Sequence, residues 1–529
     1  MIVVLFETIV FFLISLIYFF SVSGLGKLLF ISNNNYQDSF NFFELFIYGL
    51  IAKTIIGFLL YISVGTNEYI NIFILFSGFF LFLYYKKELN LVNLKYIFLL
   101  LILIFSVLLI SKTHEDFIQY HLFSIEEIFN NQLRIGITKI NFKFFHASLL
   151  SYSQSLIVIP ILNFKLVHLP IFFIYFSVVG YFIWTLFNSS EKKERFFSLF
   201  IVLLLLIKFN RLSEYGYDYI SQFLLLIVFH KIFFYKLNKD QLTKSFTIFL
   251  FSILIKPITL LFSPILLFLL YKNNVKFLFA IFVNKILLFS FMILILLSTS
   301  FFKTGCLFYP INYTCFEEDK IFWSEKTQVK EYSEFVGLWA KNFYSIEESK
   351  YEKITDKNIF KKNFNWLKFW VEGHFFYKIS EFLLILIAVI ILIHIYFTKE
   401  KPTFIKLSFE EYLIFLLSFC SIIFWMNTVP QFRFGFASIV IFIYLLFSNF
   451  INLEISLKKK KIFILIFFSL LILNLKNFNR IKNEYERNDI YKYVNFPFYN
   501  YEEIYNKAFF EIDESKFKKK QFLHVEILE

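Results

Sequence analysis

Charge is scarce in this chain. Asp, Glu, Lys and Arg together make up 18% of its 529 residues, against roughly 25% in a soluble globular protein. That shortage argues against a soluble enzyme and against a disordered chain, which depends on charge to stay solvated. Cysteine is rarer still, and three residues cannot staple a disulfide-dense secreted scaffold. Thirteen glycines exclude a collagen-like fibre, where glycine fills every third position. The first apolar segment, residues 2–20, has no basic stretch before it and no small-residue cleavage site, so it is expected to be retained as a helix.

What the sequence has in abundance is apolar surface. Hydrophobic residues reach 58%, aromatic residues 23%, with 83 phenylalanines, and the mean hydropathy is +0.65. Several apolar runs approach the roughly 20 residues needed to span a bilayer. The chain therefore reads as an all-α, polytopic transmembrane helical bundle of about 12–14 helices with amphipathic loops on the outer face. The net charge of +13 comes from Lys and Arg gathered in short connections, as the positive-inside rule requires. Nucleic acid is not an expected partner; membrane lipids are.

Loop charge orients the runs. Lysines at 86, 87, 95, 192, 193, 231, 236 and 458–461 mark the inner side. Apolar runs at 2–20, 42–64, 69–85, 96–110, 169–187, 196–207, 219–235, 277–301, 379–397, 412–426, 434–450 and 462–473 are read as crossings, together with a short out-and-back pair at 246–255 and 258–271. The stretch 149–162 is short and interrupted by Ser151, Ser153, Gln154, Ser155 and Pro160, so it is expected to lie in the interface or re-enter rather than cross. Counting it as a crossing, with 246–271 as one kinked helix, would put basic loops outside. Residues 1–475 thus form a membrane domain, with outer loops 112–165 and 302–378, and 476–529 form an extracytoplasmic tail.

The unusual polar residues gather on that outer side. Thr113-His114-Glu115-Asp116 is followed by Tyr120-His121. Carboxylates and imidazoles at this spacing suit acid–base work or a divalent metal; a solvated amphipathic helix on the membrane surface is the plainer alternative. Arg211, Glu214 and Asp218 sit at the outer end of a helix pair. Arg211 and Glu214 can pair at i, i+3, whereas Glu214 and Asp218 at i, i+4 repel unless a cation or hydroxyl lies between them. Lys256 precedes Pro257 between two short helices; a lysine at membrane depth costs about 3 kcal/mol and faces a cavity, a partner or the headgroups. Arg433, in Pro430-Gln431-Phe432-Arg433, offers a planar cation suited to phosphate or an interfacial anchor. Cys306 and Cys315 fall in the longest polar connection. In an oxidising exterior they can close a disulfide contributing on the order of 2.5–3 kcal/mol. Trp366, Trp370 and His374 share one helical face and read as an aromatic belt.

These pieces together resemble the GT-C class of polytopic glycosyltransferases and, more closely, a bacterial group of multi-pass membrane proteins similar to that class. The resemblance rests on Thr113-His114-Glu115-Asp116…Tyr120-His121, Arg211…Glu214-Tyr215-Gly216…Asp218, Gly305-Cys306…Tyr309-Pro310…Thr314-Cys315 and Pro430-Gln431…Arg433. The acidic stretch here follows the fourth apolar run rather than the first. The resemblance implies a GT-C-like fold in a bacterial inner membrane, with the site on the periplasmic face. It implies transfer of a sugar from a polyprenyl-linked donor to an envelope glycan or lipid acceptor. Asp116 is then the first choice of general base and Glu115 the second. His114, Tyr120, His121, Arg211, Glu214, Asp218, Lys256 and Arg433 are the substrate-binding candidates. No cofactor is required, though Asp116, Glu214 or Asp218 suit a divalent metal. A polysaccharide-repeat polymerase and, with less to support it, a transporter or flippase are the competing expectations.

Overall fold

In the computed structural model the residues described are 2–29, 41–85, 94–109, 116–146, 148–160, 162–209, 217–235, 239–265, 268, 275–344, 350–352, 354–397, 408–448, 459–486, 519–522 and 525–528. They are helical almost throughout. In chain order the helices are α1 Ile2–Leu28, α2 Phe42–Ser63, α3 Glu68–Tyr85, α4 Leu94–Ile104, α5 Leu122–Asn130, α6 Leu150–Ser155, α7 Leu169–Asn188, α8 Lys192–Lys208, α9 Asp218–Phe234 and α10 Lys239–Ile255. They continue with α11 Val275–Thr304, α12 Lys326–Ala340, α13 Lys357–Lys361, α14 Leu367–Phe397, α15 Phe409–Asn427, α16 Phe432–Ser448 and α17 Lys459–Glu486. Strand β1 (Arg134–Ile135) pairs in parallel with β3 (Val525–Leu528), which pairs antiparallel with β2 (Lys519–Phe522).

Among the described residues, eight helices are long and apolar enough to cross a membrane: α1, α2, α3, α7, α11, α14, α15 and α17. Burial separates centre from rim. The α7 span is 94% buried, whereas those of α11 and α15 are 22% and 28% buried. α7, α8 and α9 form the hub, and apolar side chains at the rim point outward, among them Leu287, Ile395 and Phe463. α1 and α2 approach too closely for side chains at the crossing. A Cβ on Gly26 would lie 1.9 Å from the Leu45 carbonyl oxygen, and one on Gly49 would lie 1.7 Å from that of Val22.

The structure revises several sequence boundaries. α8 and α9 are 17 residues each, buried in protein along most of their length and too short to count among the eight. Residues 150–155, expected at the interface, are a buried six-residue helix, α6, its polar side chains satisfied internally, as where Gln154 Nε2 donates to the Val167 carbonyl at 2.7 Å. α10 stops at Ile255 because the residue before a proline avoids helical backbone; Lys256 is extended (φ −151°, ψ 109°) and a short 3₁₀ turn, Pro257–Phe262, follows. The last helix runs on past the apolar run to Glu486. Its polar extension caps the open end of α4: Asn474 Nδ2 donates to Leu103 O at 2.9 Å and Arg480 Nη2 to Leu109 O at 2.9 Å. The buried Trp366 and Trp370 do not form an exposed belt. Trp370 Nε1 donates to the Pro430 carbonyl at 2.7 Å, inside the protein.

α9 defines two ends of the bundle. Asp218 opens it and Lys231 lies in its last turn, a rise of about 20 Å at 1.5 Å per residue. At the Lys231 end, Lys231 pairs with Glu44 at 2.9 Å and His230 with Glu194 at 3.0 Å, tying α2, α8 and α9. The other end holds the site.

Candidate functional site

Four sequence candidates from distant parts of the chain converge at the Asp218 end. Asp116 sits at the head of a π-helical turn, Phe117–His121. Asp218 is the first residue of α9. Lys256 occupies the break after α10. Arg433 lies in the first turn of α16. Arg433 Nε stands 3.1 Å from Asp218 Oδ2, and its Nη1 stands 3.5 Å from Asp116 Oδ2. Lys256 Nζ is 2.9 Å from Asp218 Oδ1. Cation and carboxylate therefore alternate in the order Lys256, Asp218, Arg433, Asp116, and the four formal charges cancel.

Local structure fixes each member. The Lys256 carbonyl accepts from Thr259 Oγ1 at 2.9 Å, which orients the break. The turn before Arg433 is clamped by two indoles: Trp370 on the Pro430 carbonyl and Trp425 on the Gln431 carbonyl, at 2.7 and 2.8 Å. The Arg433 guanidinium lies over the Trp339 ring at 5.7 Å and the Phe434 ring at 5.3 Å, an arrangement in which a guanidinium gains from ring quadrupoles. α9 is held in register with α16 by the Ala437 N–H donating to Gln222 Oε1 at 3.2 Å. The Asp218 side chain is 5% exposed, whereas those of Asp116, Lys256 and Arg433 are 24%, 16% and 23% exposed. The carboxylate at the centre is thus shielded while the groups around it face open space. Asp218 Oδ1 and Arg433 Nε are at ion-pair distance without an aligned hydrogen bond.

That open space is a cavity of about 1320 Å³ whose wall includes Asp116, Tyr120, Lys256 and Arg433. One stretch of wall, Leu254–Leu261 with Leu296, is largely apolar; another carries Tyr309, Tyr332, Trp339 and Lys378. The long connection after α11 builds the second. Cys306 and Cys315 are joined by a disulfide and pack with Phe145 and Val329. This brings Tyr309 onto Phe145, ring centroids 5.3 Å apart, and sets α12 across the cavity.

Tyr120 and His121 occupy the same end. Tyr120 donates its hydroxyl to Asp116 and its ring is 4.2 Å from that of His121. Burial and the neighbouring Asp116 carboxylate raise the Tyr120 phenol well above its usual range. Burial and then Lys256 hold the His121 imidazole well below its own, so it stays neutral. His121 meets the Tyr217 ring edge-on at 4.2 Å, and Tyr217 donates to Gln154 Oε1.

Sequence reasoning missed His146 and Tyr332. His146 closes a 3₁₀ segment, Phe142–His146. Its Nε2 hydrogen-bonds the Tyr332 hydroxyl on α12, and its ring stands 4.9 Å from Tyr120. Each is a lone residue in a loop, and only the fold brings them together. Four other sequence candidates, His114, Glu115, Arg211 and Glu214, lie outside the described residues. Among the described residues, no group of three or more His, Cys, Asp and Glu side chains comes together as a metal cradle.

A helical chain with eight potential spans among the described residues and a charge-balanced cluster on a large cavity is the class defined so far. The chain belongs to the family described as Domain of unknown function (DUF8201), which matches residues 1–441 and so includes all four charged members of the cluster. No curated protein and no solved structure matches it.

Proposed function

We propose that the protein is a multi-pass membrane glycosyltransferase. In this reading the Asp218 end faces the outside of the plasma membrane, and the enzyme moves a sugar from a polyprenyl-phosphate donor to an envelope glycan or lipid acceptor. The observation that carries it is the pairing of two cations, Lys256 and Arg433, on the wall of a cavity that is greasy on one side and aromatic on the other. A lipid-linked donor places its chain along apolar wall and its phosphate at a polar boundary. Breaking the sugar–phosphate bond leaves charge on the phosphate, and preorganised cations stabilise it as it develops. Arg433 presents a planar fork and Lys256 a point charge, a combination suited to phosphate oxygens. Asp218 and Asp116 keep both cations in place, and an arriving phosphate can take over part of their pairing. The cluster has no net charge when empty, so it needs no counter-ion while it waits.

Mass spectrometry of envelope glycans from a deletion strain tests this. Loss of one defined sugar residue is expected. It should return with the wild-type gene and not with Arg433→Ala at matched membrane abundance. An unchanged glycan profile refutes the proposal, and collapse of long polysaccharide to single repeats would assign polymerisation instead.

A further inference from the structure

We propose that His146 is the group that takes the acceptor's proton, with Tyr332 holding its ring, an assignment that rests on the transferase reading above. The carboxylate singled out from sequence, Asp116, is already occupied: it faces Arg433 Nη1 at 3.5 Å and receives the Tyr120 hydroxyl. His146 lines the same cavity. Its Nε2 is committed to the Tyr332 hydroxyl, and its Nδ1 has no hydrogen-bond partner among the described residues. When Nε2 carries the proton and donates it to the tyrosine oxygen, Nδ1 presents a lone pair. Tyr332 thus holds the ring with Nδ1 turned away from it, as the orienting partner of a catalytic imidazole does.

The step balances as follows. The acceptor oxygen forms a bond to the anomeric carbon of the donor sugar. The acceptor's O–H bond breaks and its proton passes to His146 Nδ1, making an imidazolium. The bond from the anomeric carbon to the phosphate oxygen breaks, and its electron pair leaves with the lipid phosphate, beside Lys256 and Arg433. The imidazolium then returns its proton to water or to the departing phosphate.

The surroundings of His146 couple its basicity to charge at the donor's phosphate. The charged groups acting on it are Lys256, Asp116, Asp218 and Arg433. His121, neutral, adds a further coupling, and the Tyr120 and Tyr332 rings pack against it. Burial and then Lys256 push its pKa down to about 3, too low for an effective base near neutrality. A lipid phosphate on Lys256 and Arg433 brings negative charge and offsets that repulsion. Donor binding should therefore raise the His146 pKa.

The test is ¹⁵N NMR of ring-labelled histidine in the purified full-length protein in micelles, with the His146 signal identified by its loss in His146→Gln. The chain has eight histidines, so assignment by subtraction is practical. The expected result in the free protein is a neutral ring in the Nε2–H form at pH 7. Saturation with undecaprenyl monophosphate should raise its titration midpoint by one unit or more. Lys256→Met should raise it without lipid, which checks the electrostatic cause while His146 is intact. A ring in the Nδ1–H form, a cationic ring at pH 7, or a midpoint unmoved by bound lipid overturns the assignment. Binding is read separately from the ³¹P resonance of the lipid. If that resonance shows no binding, the transferase reading fails, and this inference falls with it.

Discussion

Asp218 is the point on which the charged cluster turns, and its removal has a calculable cost. Its side chain is 5% exposed and stands within 3.1 Å of Arg433 and 2.9 Å of Lys256. Asp218→Asn keeps the shape and deletes the charge. Two cations then share a shielded site with one partly exposed carboxylate, Asp116, and breaking a buried pair in this way costs about 3–5 kcal/mol. Lys256→Met removes one of the two cations on Asp218 and leaves it Arg433, so the loss should be nearer 2 kcal/mol. The double variant leaves Arg433 with Asp116 and no surplus cation. Its cost should fall short of the sum of the single costs by about 2–3 kcal/mol, within the range seen for residues in one network. Unfolding free energies in mixed micelles, followed through the fluorescence of the six tryptophans as SDS is titrated in, measure all three. Additive losses, within about 0.5 kcal/mol, would show that Asp218 and Lys256 do not act on one another, and the cluster as described would be wrong.

Two further outcomes are expected. Glu325 is buried beside Thr138, and burial pushes its pKa from 4.5 up to about 7, with Glu318 adding to the rise and Thr138 and Lys139 opposing it. The folded state therefore holds the proton more tightly than the unfolded one. The stability it contributes is complete below pH 4.5 and is lost as pH rises through about 7. Glu325→Gln should flatten the fall in Tm between pH 5 and pH 8, and an unchanged slope would remove Glu325 from the account. The proposed sidedness is checked by labelling. In a Cys420→Ser background, exposed Asp319→Cys should react with an impermeant maleimide in intact cells, and exposed Lys192→Cys only after lysis. The reverse pattern would place the cavity on the wrong side for a periplasmic donor.

Helix type was legible because apolar runs of this length have few other uses, and the sequence pointed to Asp116, Asp218, Lys256 and Arg433 because polar residues stand out against such runs. Their mutual geometry was not legible. Asp116 and Arg433 are 317 residues apart, and no periodicity spans that distance. Helix ends were misjudged where polar residues find partners inside the protein. Asn474 and Arg480 read as the start of a tail, yet they cap α4. Trp366 and Trp370 read as interfacial, yet the turn before Arg433 supplies a carbonyl for Trp370. His146 was invisible because its partner lies on a loop helix 186 residues further on.

The long separation between Asp116 and Arg433 has a consequence for biogenesis. At roughly 5–20 residues per second, the ribosome needs some 15–60 s to travel from one codon to the other. Asp218 and Lys256 are made within that interval, so over its later part the nascent chain holds two carboxylates served by a single lysine. Only the arrival of α16 completes the neutralisation. A chain that stalls or is cut before α16 is left with an excess negative charge at the Asp218 end of the bundle.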